Sequence, residues 1–319
     1  MIYQSFQHAL QRHPQEVALA VAAMVVLCTM ASTVVPHRQS AASGMIRQRD
    51  ALGQDYGDTW PLYIRQHEGQ VHSQWNQDGV LQYIFESIGV TNKYFVEFGF
   101  DQNEYLFGAN THLLYEAGWR GLLMDGGHEN ATINLHREMI SIDTIVDLFK
   151  AYKVPQEPDY VSVDLDSCDI WVMMEIAKAY RPRVMTIEYN SNFPAGATVA
   201  WPPTCGEQWQ GDTIFGSSVG AIYLAAQDVG YTVVHGIPVA DLFLVRSDLL
   251  SDNIRVHSLR TIEQWVSGRP LHPPPNDTSR FEIFIDYAAY RSNGKDVEKS
   301  RQAALSYLEQ KTNFLTPDA

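Results

Sequence analysis

The chain has 319 residues, 45% of them hydrophobic, enough to bury one sizeable core. Its 37 acidic and 23 basic residues give a formal net charge of −14, a surface that repels phosphate backbones and argues against nucleic acid as a partner. Three cysteines, Cys28, Cys168 and Cys205, make neither a disulfide framework nor a metal-ligand spacing, and at most one disulfide can join the latter two.

Residues 1 to 16 form a short tail, and residues 17 to 35, VALAVAAMVVLCTMASTVV, are an uncharged apolar run. As a helix this run spans ~28 Å at ~1.5 Å per residue, close to the thickness of a hydrocarbon core. It reads as a transmembrane signal-anchor bracketed by Pro14 and Pro36. A cleavable signal peptide, using the small residues Thr29 and Ala31, and a buried core helix are the rival readings. Arg12 on one side faces Arg38, Arg47 and Arg49 on the other, so charge specifies orientation only weakly. Two sequons, Asn130-Ala-Thr and Asn276-Asp-Thr, accept glycans only in a secretory compartment. The expectation is a single-pass membrane protein of the secretory pathway or Golgi with its domain lumenal. Residues 36 to 72, with scattered Gln, Ser, Gly and Arg, form the predicted stalk or linker.

Residues 73 to 250 alternate short apolar runs with helical periodicity, the pattern of a parallel sheet covered by helices. Val80, Leu81, Ile84, Phe85 and Ile88 predict a helix, and YFVEFG (94 to 99) a buried strand. Leu113, Leu114 and Ala117 mark a second helix before the strand GLLMDG (121 to 126). Ile142, Ile145, Val146 and Phe149 mark a third before the strand YVSVDLD (160 to 166). A helix from about Ile170 to Tyr180 leads into the strand RVMTIEYN (183 to 190), and another spans Val219 to Val229. The strands YTVVH (231 to 235) and DLFLVR (241 to 246) lie too close for a crossover helix, so they must pair antiparallel. Residues 251 to 319 read as an extension with a Pro-rich HPPPNDT loop and a helix near Val297 to Leu308.

Several motifs resemble the FkbM methyltransferase family, in order, from Ser73 to about Leu250. They are Glu97 and Gly99 ending one strand, Asn110-Thr111, the GW-x-G turn Gly118-Trp119-Arg120-Gly121, and Asp125 ending the next strand. The Val-Pro lead of VPQEPDYVSVDLDSCD (154 to 169) and the strand PRVMTIEYN (182 to 190) follow the same pattern. The resemblance implies a Rossmann-like class I methyltransferase sheet, mostly parallel with a terminal antiparallel hairpin, that binds S-adenosylmethionine. The donor would meet Glu97, Gly99, Asn110 and Asp125, since ligands of open α/β sheets bind beyond the strands' carboxyl ends. Taken singly, these residues also read as a turn glycine and solvated strand-end acids. Where such enzymes carry a G-x-G-x-G loop this chain has GFDQNEYLFG (99 to 108), with glycine only at each end. Phe100, Tyr105 and Phe107 there are either core aromatics or walls of an adenosine pocket.

Asp164, Asp166 and Asp169 follow the third of these strands as D-L-D-S-C-D. Clustered carboxylates repel one another, which points to solvation or to a cation such as Mg²⁺ or Mn²⁺. By placement, as in catechol O-methyltransferases, Asp164 or Asp166 with Glu188 and Asn190 form the candidate metal site, and Asp166 or Ser167 as a helix cap is the alternative. A D-x-D motif also suits a Golgi-type metal-dependent glycosyltransferase, and the altered glycine loop leaves room for a binding protein without catalysis. The expected activity is O-methylation of a small-molecule or glycan acceptor. Asp164, Asp166 and Glu188 act at the hydroxyl, and His128, close to the Asp125 strand end, is a possible proton acceptor. Residues 190 to 212, with Trp201 and Trp209, are long for a structureless loop and are expected to cover the acceptor site.

Overall fold

The structure is a computed structural model that describes residues 57–206 and 209–311. The tail, the expected anchor at 17 to 35 and most of the stalk lie outside the described residues. Among the described residues no helix is long and apolar enough to cross a membrane.

Helices and strands alternate as the periodicity dictates. The order is α1 (Gln77–Ile88), β1 (Tyr94–Phe98), α2 (His112–Glu116), β2 (Arg120–Asp125), β3 (Leu135–Arg137), α3 (Ile145–Ala151), β4 (Tyr160–Val163), α4 (Asp169–Ala179) and β5 (Val184–Glu188). Then come β6 (Val199–Ala200), α5 (Val219–Asp228), β7 (Tyr231–Gly236), β8 (Asp241–Arg246), α6 (Leu259–Val266), β9 (Ile285–Asp286), α7 (Tyr287–Ser292) and α8 (Val297–Gln310). Seven strands form one mixed sheet in the order β3-β2-β1-β4-β5-β8-β7. The first five pair parallel; β8 joins β5 antiparallel, and β7 joins β8 antiparallel. The result is an α/β architecture with a mostly parallel sheet, compatible with a Rossmann-like fold.

Every residue of β1 is buried because both faces of the sheet are covered. Tyr94, Val96 and Phe98 join Leu122, Met124, Val161 and Val163 on one face, under Phe149 of α3, Ile170 and Met173 of α4 and Ile222 of α5. Phe95 joins Leu123, Tyr160, Val184 and Phe243 on the other, under Val80, Leu81 and Ile84 of α1. The GW-x-G turn serves this second face. A Cβ on Gly121 would lie about 2 Å from the Phe95 ring, and the Trp119 ring stands 4.9 Å from that of Phe85.

Three features depart from the sequence expectations. The end of the predicted stalk is a 3-10 segment (Gly57–His67) whose Trp60 and Ile64 are buried in the α1 layer. The C-terminal extension is built into the main core through Phe281, Phe284, Ile285, Tyr287, Ala304 and Leu308, and its β9 pairs with β6. Strand β3 escapes the periodicity because it is three residues long, with only Leu135 fully buried.

Candidate functional site

The strand order reverses between β1 and β4, and the chains leaving the two strands touch there. Gly99 has φ +74°, and a Cβ on it would lie 2.1 Å from the Asp164 carbonyl oxygen, so only glycine fits. Such a reversal is where open α/β sheets bind ligands.

Glu97 is an internal clamp. One carboxylate oxygen accepts from the Asn110 amide at 2.8 Å, and the other from the Thr111 amide at 3.1 Å and the Thr111 hydroxyl. Burial pushes this carboxyl up to about 7, against the opposing pull of the Thr111 and Asn110 hydrogen bonds. With its oxygens taken by the loop, Glu97 positions Asn110 and Thr111. Asn110 in turn donates to Ser162 Oγ at 3.1 Å and Asp241 Oδ2 at 3.2 Å, while its own Oδ1 is buried without a protein partner. Asp241 also accepts from Gln77 at 3.0 Å, and burial raises its carboxyl to about 6. Gln77, Ser162 and Asp241 escaped sequence reasoning. The only signal for Asp241 was an acid directly before an apolar run.

Asp125 behaves oppositely. Burial acts to raise it, but amides of Gly127 and Asp101 and the His128 ring outweigh that and hold the carboxyl below its usual range. Its Oδ1 accepts from Gly127 N at 2.7 Å, His128 N at 2.9 Å and His128 Nδ1 at 2.7 Å, and its Oδ2 from Asp101 N at 2.9 Å. Oδ2 therefore retains acceptor capacity. The Asp125 carboxylate fixes the His128 ring by Nδ1, leaving Nε2 for a proton. Beside this strand end Met139 is 77% exposed, its sulfur 3.2 Å from where a Gly126 Cβ would stand. That apolar wall was also missed.

Asp164, Asp166 and Glu188 form a separate group, each offering an oxygen within 4.8 Å of the others, and all three are partly accessible. Burial, then repulsion from Asp166 and Asp169, raises Asp164 well above the carboxylate range. Burial, then repulsion from Asp164 and Asp166, does the same to Glu188, and burial with repulsion from Asp169 brings Asp166 to about 7. Without a cation such a trio retains protons at neutral pH. Three converging oxygen ligands fit a hard divalent ion.

One expectation for this region and one alternative reading fail. Asn190 does not join the trio: its amide nitrogen donates to the Thr213 and Phe215 carbonyls at 2.9 and 2.8 Å, and its Oδ1 accepts from Asn192 N and Nδ2. It ties down the following loop. Neither Asp166 nor Ser167 caps α4, whose N-cap is Cys168 with no side-chain bond. Asp169 instead accepts from the Leu165 and Ser167 amides at 2.6 and 2.8 Å and holds the D-x-D turn. His128 belongs with Asp101 and Asp125, a different cluster from the trio.

The long loop after β5 closes over this end. A disulfide joins Cys205 to Cys168 beside the D-x-D turn, and the Gly216 amide reaches the Asp166 carbonyl at 3.4 Å. Trp201 is buried and bonds the Thr204 carbonyl, so it is lid packing, while Trp209 stands edge-on to His272 at 4.7 Å. In the 99 to 108 loop Phe100 is a core aromatic, whereas Phe107 is 66% exposed. A cavity of about 280 Å³ lined by Ala177, Arg181, Tyr231 and Arg246 opens at the amino ends of the strands. Its arginines are paired with Glu157 and Asp248, so their charges are already met within the chain.

No protein-family model matches the chain, and no curated protein matches it in sequence.

Proposed function

We propose that the chain is an S-adenosylmethionine-dependent methyltransferase acting on an acceptor oxygen, assisted by Mg²⁺ or Mn²⁺ on Asp164, Asp166 and Glu188. The observation that carries this reading is the sheet order. A dinucleotide-binding doubly wound sheet runs 3-2-1-4-5-6, whereas here the sixth position is the antiparallel β8, the hairpin arrangement of class I methyltransferases.

The residues fit the donor. Asp125 is ionised, with a free acceptor site on Oδ2 for ribose hydroxyls. The orphaned Asn110 Oδ1 suits a donated N–H, and Met139 offers an apolar face to adenine. S-adenosylmethionine held at Asp125 and Asn110 would supply a methyl group already activated by the sulfonium charge. The protein's task is then to align two substrates and take a hydroxyl proton. A cation on the trio would lower the hydroxyl's pKa and displace the protons those carboxylates otherwise hold. The Cys168–Cys205 disulfide and the sequons support an oxidising, lumenal setting behind the 17 to 35 anchor. A glycan or small hydroxylated molecule is the acceptor class.

Calorimetry on the full chain tests this. S-adenosylmethionine should give heat and nucleotide sugars none. Heat from a nucleotide sugar with Mn²⁺, and none from S-adenosylmethionine, would transfer the D-x-D to a glycosyltransferase. Silence from both would leave a binding protein.

A further inference from the structure

A second cluster of metal-ligand type lies away from the acid trio. His112 and Glu116 sit one helical turn apart on α2, so their side chains share a face. His72 comes to that face from the segment before α1. Its Nε2 lies 2.9 Å from one Glu116 oxygen, the His112 Nε2 lies 3.8 Å from the other, and the two imidazole rings stack at 3.9 Å. Each residue offers a ligand atom within 4.8 Å of the other two.

The supports of these side chains are those of a built site. The His112 Nδ1 is 3.1 Å from the Leu106 carbonyl, which can only accept, so Nδ1 carries the proton and Nε2 presents its lone pair. His72 is held through its backbone. One oxygen of Asp78 accepts from the amides of Val71, His72 and Ser73 at 2.7 to 2.8 Å, and the Gly108 amide donates to the His72 carbonyl at 2.7 Å. Tyr105 stacks on His112 at 4.9 Å and closes one side, while Glu116, 53% exposed, faces water.

We infer that His72, His112 and Glu116 form a binding site for Zn²⁺ or a similar borderline transition-metal ion, with a fourth position open to solvent. Two neutral imidazoles and one carboxylate suit such an ion, whereas the all-oxygen trio suits Mg²⁺ or Mn²⁺. As the ion enters it displaces to solvent the proton that His72 Nε2 shares with Glu116, and that contact loosens slightly, since tetrahedral ligands stand ~3.3 Å apart at ~2.0–2.1 Å bonds. The bound ion ties the segment before α1 to α2, and through Leu106 to the loop that follows β1. That loop carries the exposed Leu106 and Phe107.

The test is Zn²⁺ calorimetry on the tag-free, chelator-treated full chain in saturating Mg²⁺, with Co²⁺ absorption as a second readout. The wild type should bind and give the visible bands of a tetrahedral Co²⁺ site. His112→Ala and Glu116→Gln should lose at least about 10–100-fold in affinity, the cost of even an outer-shell partner, and lose those bands. Asp166→Asn should change neither. His72→Asn, at a partly exposed side chain, decides the matter if the helix variants fail to fold. Unchanged Zn²⁺ affinity and Co²⁺ bands in His72→Asn, or no binding by the wild type, overturns the site.

Discussion

Replacing Asp166 by asparagine should stabilise the metal-free protein near neutral pH and leave it unchanged in acid. Asp166 sits at φ +58°, a left-handed conformation that asparagine tolerates better than other non-glycine residues, so the substitution removes charge with little backbone strain. Burial and repulsion raise its carboxyl from 3.8 to about 7. The sign is the reverse of a salt-bridged acid's. The folded chain keeps a proton that the unfolded chain has released, so stability falls as pH rises from about 4 through about 7. That rise, at ~1.4 kcal/mol for each tenfold change in proton affinity, sets a ceiling of ~4 kcal/mol. Partial exposure and the proton shared with Glu188 relieve part of this, leaving ~2 kcal/mol, or about 4 °C in Tm for a body of this size. Thermal melts of both chains from about pH 5 to about pH 8 in chelator measure the effect, and Mg²⁺ or Mn²⁺ should raise the wild type more than the variant. Superimposable melting curves across that range would show that the trio is not desolvated, and the argument for a cation there would fall with it.

Chelation followed by Mg²⁺ or Mn²⁺ should abolish and restore methyl transfer while S-adenosylmethionine still binds, because the Asp125 and trio clusters are separate; full turnover in chelator, read by radiolabelled methyl, would leave His128 or a carboxylate as simple base. Asp125→Ala should weaken donor binding by ~1–3 kcal/mol in calorimetry, the loss of charge-assisted bonds to ribose. Cys205→Ser opens a disulfide of sequence separation 37 and should cost about 4 kcal/mol in denaturant unfolding by loop-closure entropy, with an unchanged midpoint arguing that the lid is held by packing alone. The full chain should pellet with membranes, and a chain starting near Ser40 should not, as fractionation will tell.

The main sheet was legible because its strands are buried on both faces and read as continuous apolar runs, and because the 237 to 240 gap permits only a hairpin. The convergence of Asp164, Asp166 and Glu188 was legible too, since each ends or directly follows a parallel strand and the carboxyl ends of β4 and β5 are neighbours. Most of the elements that were not legible are short or aperiodic; α6 is the exception, eight residues whose Ile262 and Val266 keep helical spacing on a buried face, and its period was overlooked. β3, β6 and β9 have two or three residues each, too few for alternation to register, and Gly57–His67 lies in a segment of polar composition.

The roles of single site residues were harder to read, for a reason visible in Glu97 and Asn190. Sequence can place a polar side chain at a strand end, but it cannot say whether ligand or backbone fills its hydrogen-bonding capacity. Glu97 gives both oxygens to the α2 entry, and Asn190 gives its whole amide to the lid, so each shapes the site without facing it. Beneath them Ser162, Thr186 and Tyr160 bond in sequence, with Thr186 at 3.1 Å from Ser162 and 2.7 Å from Tyr160. Asn110 rests on that row through Ser162 and bonds Asp241 beside it. Such a buried polar row is costly unless satisfied throughout, and among these residues Asn110 Oδ1 is the side-chain acceptor left without a protein partner.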